Sequence, residues 1–382
     1  MPLTRRSRKR RQNKRMEKNR YISNVNWGLV TISLALVVLG TVNLYSATVA
    51  REKFSVYYIY HMYWFMLGLF LAILINIPDY RKLLDLTYII YGIVLLLLVI
   101  VAFKGKTVMG GRRWISLGFI SIQPSEFMKL ALIMALAQYY NTRKTDGPYG
   151  WVDLWKPLMM IALPVALTLK QPDLGTAMII AITGFSMMIF AKMRMWVLGP
   201  LTIFGIGGSV LLWSRVLKSY QKKRIDTFLN PNADLLGSGY HANQSTIAVG
   251  SGKGVGKGFM ASTQSQFSFL PEQHTDFIFS VFSEEWGLAG VLLVLALFAV
   301  LLGIILEVAR NAKDKFGVFV CIGVFFMLFA HLTINVGMVS GLLPVVGVTL
   351  PFFSSGGSSL ITVMCAIAMV NSISRRRYTY RG

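Results

Sequence analysis

The sequence predicts an all-α, polytopic integral membrane protein of about ten transmembrane helices, with a large extracytoplasmic loop between helices 7 and 8. Two observations carry this. Of 382 residues, 54% are hydrophobic and only 14% are charged, and the mean hydropathy is +0.56. The apolar residues also gather in separate runs of about 20, each long enough to cross ~30 Å of hydrocarbon. The ten-residue alternating segments of a membrane β-barrel do not occur.

Taken in order, residues 1–25 form a basic tail with ten Lys/Arg against one acid, Glu17, in a chain of net charge +23. Such a block could bind nucleic acid, but directly ahead of a membrane span it reads as a cytoplasmic segment on anionic lipid, with no nucleic-acid partner. The first apolar run is long and others follow it, so it is expected to be an uncleaved anchor.

Spans are expected near 26–46, 57–77, 84–103, 119–140, 153–170, 174–192, 196–213, 276–307, 316–338 and 343–372. They form one membrane domain over 26–372, followed by a basic cytoplasmic tail over 373–382. The eighth run is too long for one straight crossing. It is expected to start as a short outer helix and to continue past Gly287 and Gly290. Pro344, Pro351 and the Ser354–Ser359 run "SSGGSS" predict a broken or re-entrant start to the tenth.

Ten spans put both termini on one side. Lys and Arg concentrate in the short segments of that side, which places the termini in the cytoplasm and the 215–275 loop outside. Structureless loops of this length are uncommon and often functional. Within it, "IDTFLNPNADLLGSGY" is rich in turn residues. "GSGKGVGKG" superficially resembles a phosphate-binding loop but lacks its G-x-x-x-x-G-K-[ST] spacing and lies on the wrong side for cytosolic nucleotide, so no nucleotide is expected. Cys321 and Cys365 both fall in apolar runs and are expected to pack as small hydrophobes; no disulfide framework or metal cluster can be built from them.

Four polar clusters stand out against this apolar background. "FLPEQHTDFIFSVFSEEW" (269–286) carries Glu272, His274, Asp276, Glu284 and Glu285. Asp276, Ser280 and Glu284 have i, i+4, i+8 spacing and would share a helix face. Asp276 reads equally as a helix N-cap or as a general base at the water–membrane boundary. In "GGRRWISLGFISIQPSEFMKLAL" (110–132), Glu126 and Lys129 are i, i+3 neighbours inside a span. They are either a self-neutralising buried pair or functional groups. Arg112 and Arg113 precede them as interfacial anchors or as diphosphate ligands. In "LKQPDLGT" (169–176), Lys170 and Asp173 could pair at the surface, or Gln171 and Asp173 could face an outer cavity. "LPFFSSGGSS" (350–359) is either an anion cradle or a glycine-rich helix break. All four lie at the outer ends of spans. Together they point to one external site next to lipid, acting on an amphiphilic, anionic substrate as an enzyme or a transporter.

The stretches "RRWISLGFISIQPSEFMK", "QPDLGTA", "FLPEQHTDFIFSVFSEEWG" and "GVTLPFFSSGGSSL" occur in this order between Arg112 and Leu360. Together they resemble the SEDS family (shape, elongation, division and sporulation), and "GFMASTQSQFSFLPEQHTDF" is most similar to its rod-shape elongation branch. The resemblance implies a peptidoglycan glycosyltransferase that polymerises lipid II and releases undecaprenyl diphosphate. It implies Asp276 as catalytic base, with Glu126 and Lys129 important for activity or coupling. Arg112, Arg113, Lys170, Gln171, Asp173, Glu272 and His274 are candidate substrate contacts. It further implies a divalent cation (Mg or Mn) and a location in the bacterial cytoplasmic membrane. The expected partners are a class B penicillin-binding protein and other elongation-complex proteins, because this chain has no S-x-x-K motif for cross-linking. A flippase of the lipid-linked precursor and a division-type family member are the competing readings, and a non-catalytic scaffold is a third.

Overall fold

The computed structural model describes residues 25–49, 56–108, 111–116, 118, 121–143, 147–194, 196–197, 199–200, 219–229, 238–263 and 274–376. Residues 1–24 of the basic N-terminal tail, residues 377–382 of the basic C-terminal tail, most of the expected seventh span, and Glu272 lie outside these residues; the expected tail at 373–376 is instead the last turn of a helix.

The elements run α1 (Trp27–Val49), α2 (Tyr57–Asn76), α3 (Thr87–Lys104), β1 (Lys106–Val108), β2 (Gly111–Ser116), β3 (Ser121–Ile122), α4 (Pro124–Thr142), α5 (Trp151–Lys170) and α6 (Leu174–Phe190). They continue with α7 (Ser219–Leu229), α8 (Ser238–Ser251), α9 (Ile278–Arg310), α10 (Lys315–Val339) and α11 (Gly357–Arg376). Seven of the described helices are long and apolar enough to cross a membrane. The protein is therefore a multi-pass, helical membrane protein.

Burial sorts these helices. α4, α10 and α11 form the centre, and nearly every residue of α11 is covered. α2 and α3 are covered on little of their surface and present Tyr60, Met62, Phe70, Ile89, Ile93 and Leu96 outward. An outer face this rich in large apolar side chains suits contact with lipid. α2 packs along α11, α10 contacts α4, α6 and α9, and α1 lies against α9. Cys321 and Cys365 are buried and free, as small core residues.

Three local features depart from the expected spans. The fourth span does not begin at 119. Residues 121–122 pair with Ile115–Ser116 as the last strand of a small antiparallel sheet ordered β1-β2-β3, and α4 starts at Pro124. Proline fits the first helical position because its missing N–H would have had no partner there.

The described part of the 215–275 loop is not structureless. "IDTFL", expected in a turn-rich stretch, closes α7. α8 packs on α9, where the Ser245 and Ser280 hydroxyls meet at 2.8 Å.

The tenth run has the broken start that Pro344, Pro351 and "SSGGSS" predict, and its helix does not begin at 343. Residues 341–356 run as a non-helical strap across the protein, and α11 starts only at Gly357.

The eighth run breaks where the glycines suggested. Gly287 has φ 61° and ψ −162°, a conformation that only glycine adopts readily. The break is spliced by the glycine-rich loop after α8. Lys257 N and Gly258 N donate to the carbonyls of Glu284 and Glu285, and Leu288 N and Ala289 N donate to the carbonyls of Lys253 and Gly254. Four backbone groups that a kink would orphan, the carbonyls of Glu284 and Glu285 and the N–H groups of Leu288 and Ala289, thus find partners in the loop. This is the structural role of "GSGKGVGKG": its glycines allow the loop backbone to approach the helix backbone closely. The helix beyond the break, Leu288–Arg310, is about 34 Å long at ~1.5 Å per residue, enough to span by itself.

Candidate functional site

Asp276 does not lie on α9. The helix begins at Ile278, and its cap residue, Phe277, makes no side-chain cap bond. The shared face of Asp276, Ser280 and Glu284 is therefore not formed, and the capping role expected as one alternative is not the one observed. Ser280 turns to α8. Glu284, fully buried, is closed in by Lys257 Nζ (2.6 Å), Ser262 Oγ (2.5 Å) and Thr263 N and Oγ1 (3.1 and 2.8 Å). Glu285 accepts from Ser46 of α1. These two acids fasten the broken helix to its surroundings.

Asp276 instead sits in the turn of residues 274–277, half-buried, with its carboxylate against the strap. A Cβ on Gly347 (φ +76°) would stand 3.2 Å from Asp276 Oδ2 and 3.9 Å from Arg224 Nη1. Arg224, on α7 of the external loop, thus shares the carboxylate's surroundings. The sequence reading passed over it; its signal was the cationic run "QKKR" in a loop already identified as external.

Backbone and side-chain bonds hold the 274–277 turn in place. Asn335 Nδ2 on α10 donates to the carbonyls of Asp276 (3.0 Å) and Val348 (2.6 Å). Ser354 Oγ donates to the carbonyl of Thr275 (2.7 Å), and Ser355 N donates to the carbonyl of His274 (3.0 Å). The His274 ring is buried and tilts against Tyr57 of α2, with centroids 4.5 Å apart. Within "LPFFSSGGSS", Ser354 and Ser355 therefore anchor the Asp276 turn.

The other clusters meet the same layer. Arg113 on β2 reaches the α5–α6 turn: Nε donates to the carbonyl of Gln171 (3.3 Å), Nη2 donates to the carbonyl of Pro172, and Nη1 lies 3.9 Å from Asp173 Oδ1. Asp173 caps α6 through Thr176 N (3.2 Å) and accepts from Gln123 Nε2 (2.9 Å). Gln171 is buried and donates to the carbonyl of Leu98 (2.9 Å). Gln123 N donates to Ser358 Oγ at the start of α11 (3.1 Å), tying this cluster to the helix that follows the strap.

Arg113, Gln171 and Asp173 are thus brought together as a framework of the outer layer. The pairing expected of Lys170 with Asp173 gives way to Arg113 with Asp173. Lys170 Nζ stands 5.0 Å from the centroid of the exposed Phe103 ring. Arg112 is exposed and donates to the carbonyl of Phe103 at 3.4 Å. Lys170 and Arg112 remain open to an anion.

Glu126 and Lys129 form the buried pair, 2.7 Å apart, with Lys129 only 1% exposed. A third group, which the sequence reading missed, completes it: His331 Nε2 lies 2.8 Å from Lys129 Nζ, and His331 Nδ1 lies 3.0 Å from the carbonyl of Thr349 in the strap. The pair stands behind the Asp276 turn and does not open to solvent.

Between α3, the hairpin and α4 lies an apolar slot of about 310 Å³ lined by Ile90, Val94, Leu97, Ile115, Phe127 and Met134 among others. Among the described residues, no three His, Cys, Asp or Glu side chains cluster to hold a metal.

With this geometry in view, residues 26–379 match the cell cycle protein family model FtsW/RodA/SpoVE. The peptidoglycan glycosyltransferase MrdB of Escherichia coli K12 is 40% identical over 288 residues, covering 75% of this chain and 77% of that protein. A chain of a peptidoglycan synthase complex, solved for its structural coordination of polymerization and crosslinking, superposes with a TM-score of 0.78. It has 32% identity and covers 93% of this chain and 99% of its own. The rod shape determining protein RodA of Thermus thermophilus superposes with a TM-score of 0.70 at 30% identity, covering 93% and 98%.

Proposed function

The chain belongs to the FtsW/RodA/SpoVE family and is a peptidoglycan glycosyltransferase, and from that premise we propose that Asp276 is its general base in the polymerisation of lipid II at the outer face of the bacterial cytoplasmic membrane during cell elongation. The observation that carries this is the placement of Asp276: a half-buried carboxylate in a rigidly held turn, with the Arg224 guanidinium near the same strap glycine, Gly347.

In the step itself, the 4-hydroxyl oxygen of one lipid II forms a bond to the anomeric carbon of the lipid-linked donor strand. The anomeric carbon–oxygen bond to diphosphate breaks, and undecaprenyl diphosphate leaves with the electron pair. The hydroxyl proton passes to Asp276. The leaving group develops negative charge, which Arg224, Arg112 and Lys170 are suited to stabilise from the outer layer. The slot beside the hairpin, open between α3 and α4, suits an isoprenoid tail entering from lipid.

A divalent cation belongs to the proposal only as one carried in by diphosphate oxygens. The described residues do not supply a three-donor cage, and the roles above use protein groups alone. His274, Gln171 and Asp173 support the site's backbone. Glu272 remains a candidate contact outside the described residues.

Both termini are assigned to the cytoplasm, where the basic tails meet anionic lipid. A class B penicillin-binding protein is the expected cross-linking partner, alongside other elongation proteins. The neighbour solved as a complex coordinating polymerization with crosslinking supports such a pairing.

A flippase needs intramembrane polar groups open to water. The closed bonding of Glu126–Lys129–His331 and of Glu284 disfavours that reading.

The test uses the purified protein with its penicillin-binding partner and labelled lipid II. Glycan strands from the wild type and none from Asp276→Asn, with folding and partner binding intact, are expected. Equal polymer from both would remove Asp276 from catalysis. Lipid translocation across vesicles without polymer would establish the flippase instead.

A further inference from the structure

The Glu126–Lys129 pair has no contact with the Asp276 turn, yet a directional chain of hydrogen bonds connects them. A lysine ammonium donates and cannot accept. Lys129 Nζ donates to Glu126 Oε2 at 2.7 Å, and its 2.8 Å contact to His331 Nε2 therefore requires the lone pair of that nitrogen. The proton of a neutral imidazole must then sit on Nδ1, where it donates to the carbonyl of Thr349 at 3.0 Å. This is the tautomer that a free histidine side chain in water disfavours. Lys129 and the Thr349 carbonyl thus require the same tautomer from opposite sides of the ring, and in that tautomer His331 holds the strap to the buried pair.

One turn further along α10, Asn335 grips the strap again at Val348 and, with the same amide, the backbone of Asp276. Gly347, the neighbour of these gripped residues, is the surface against which the Asp276 carboxylate rests. We propose that His331 is a positioning residue for Asp276, holding the strap through Thr349 in the tautomer that Lys129 of the buried pair and the Thr349 carbonyl both require. Its role in catalysis rests on the polymerase reading above; its tautomer does not.

Two conservative variants separate this role from simple satisfaction of Lys129. Asparagine in place of His331 puts an amide N–H near the Nδ1 position, and glutamine puts its amide near Nε2. If His331 holds the strap, His331→Asn keeps kcat within about threefold of wild type, and His331→Gln loses about tenfold or more with KM unchanged. If His331 merely solvates the ion pair, the ranking reverses. The reversed ranking overturns the proposal, as does wild-type activity in both variants, or loss of activity in both while they elute as folded protein.

A second arm needs no substrate. In protein labelled with ¹⁵N at histidine, the His331 signals should report a protonated Nδ1 and a bare Nε2. A bare Nδ1 would overturn the hold on the strap, and a protonated Nε2 would overturn the contact with Lys129, whatever the activity of the enzyme.

Discussion

Replacing Gly256 by alanine tests the splice at the α9 break directly. Gly256 has φ +81°, and a Cβ there would stand 2.1 Å from the carbonyl oxygen of Glu285 and 2.7 Å from Gly287 N. Neither neighbour is a flexible side chain, so the loop backbone must withdraw. The left-handed conformation costs about 1–2 kcal/mol for alanine. Withdrawal breaks at least the Lys257 N–Glu284 and Gly258 N–Glu285 bonds, each worth about 1 kcal/mol net and more when the freed carbonyl stays buried. It also strains the contact of Lys257 with the buried Glu284 carboxylate. The expected loss is about 4–6 kcal/mol, beyond the usual range for one substitution.

Gly254→Ala supplies the control. It lies two residues away in the same loop, with no atom within 4 Å of its added Cβ and no positive φ. Thermal unfolding of both variants in detergent, followed by intrinsic fluorescence, should show Gly254→Ala close to wild type and Gly256→Ala strongly destabilised or not recovered. Equal behaviour of the two would refute the close backbone splice.

Other expectations follow from the same structure. Lys257→Met should destabilise the protein by about 3–5 kcal/mol by stranding the Glu284 carboxylate, and Glu284→Gln in the same chain should restore most of that loss in thermal melts. Gly347→Ala should lower kcat about tenfold with intact partner binding, because the added methyl pushes on the Asp276 carboxylate; strand formation from labelled lipid II measures it. Burial, with a smaller contribution from Asp314, raises the Tyr80 pKa above its ordinary value of 10.0. The unfolded chain therefore loses this proton first as pH rises. Stability should be level below about pH 10, fall above it, and fall less in Tyr80→Phe when unfolding is followed against pH.

Much of the architecture is written in local chemistry. Apolar runs located α1, α2, α3, α5, α6, α9 and α10 because a bilayer demands length and hydrophobicity of each span separately. The kink at Gly287 was legible for the same reason: a run too long to cross straight must break, and glycine is where it can. The β-hairpin was not legible, since "ISLGFISI" is as apolar as a helix and only its pairing with β2 makes it a strand. The four polar clusters are tied to one another through the strap and the start of α11, although the Glu126–Lys129 pair does not touch the Asp276 turn. Their internal assignments depended on contacts far apart in sequence: Arg113 with the Gln171–Asp173 turn, Ser354 with Thr275, and Asn335 with Asp276. His331 was hidden because a lone histidine in an apolar run carries no signal until Lys129 is placed beside it. Arg224 was hidden by belonging to a loop whose helices, α7 and α8, have little periodic apolar pattern.

The splice at Gly287 also determines how mechanical load travels. The outer half of α9, which leads directly from the Asp276 turn, is tied across the break by the loop after α8. A displacement of that loop is therefore transmitted sideways into the outer half-helix and on to the turn, while the membrane-spanning half can stay where the bilayer holds it. The joint works like a rocker pinned at its side: a push on the loop after α8 would reach the carboxylate without bending a transmembrane helix.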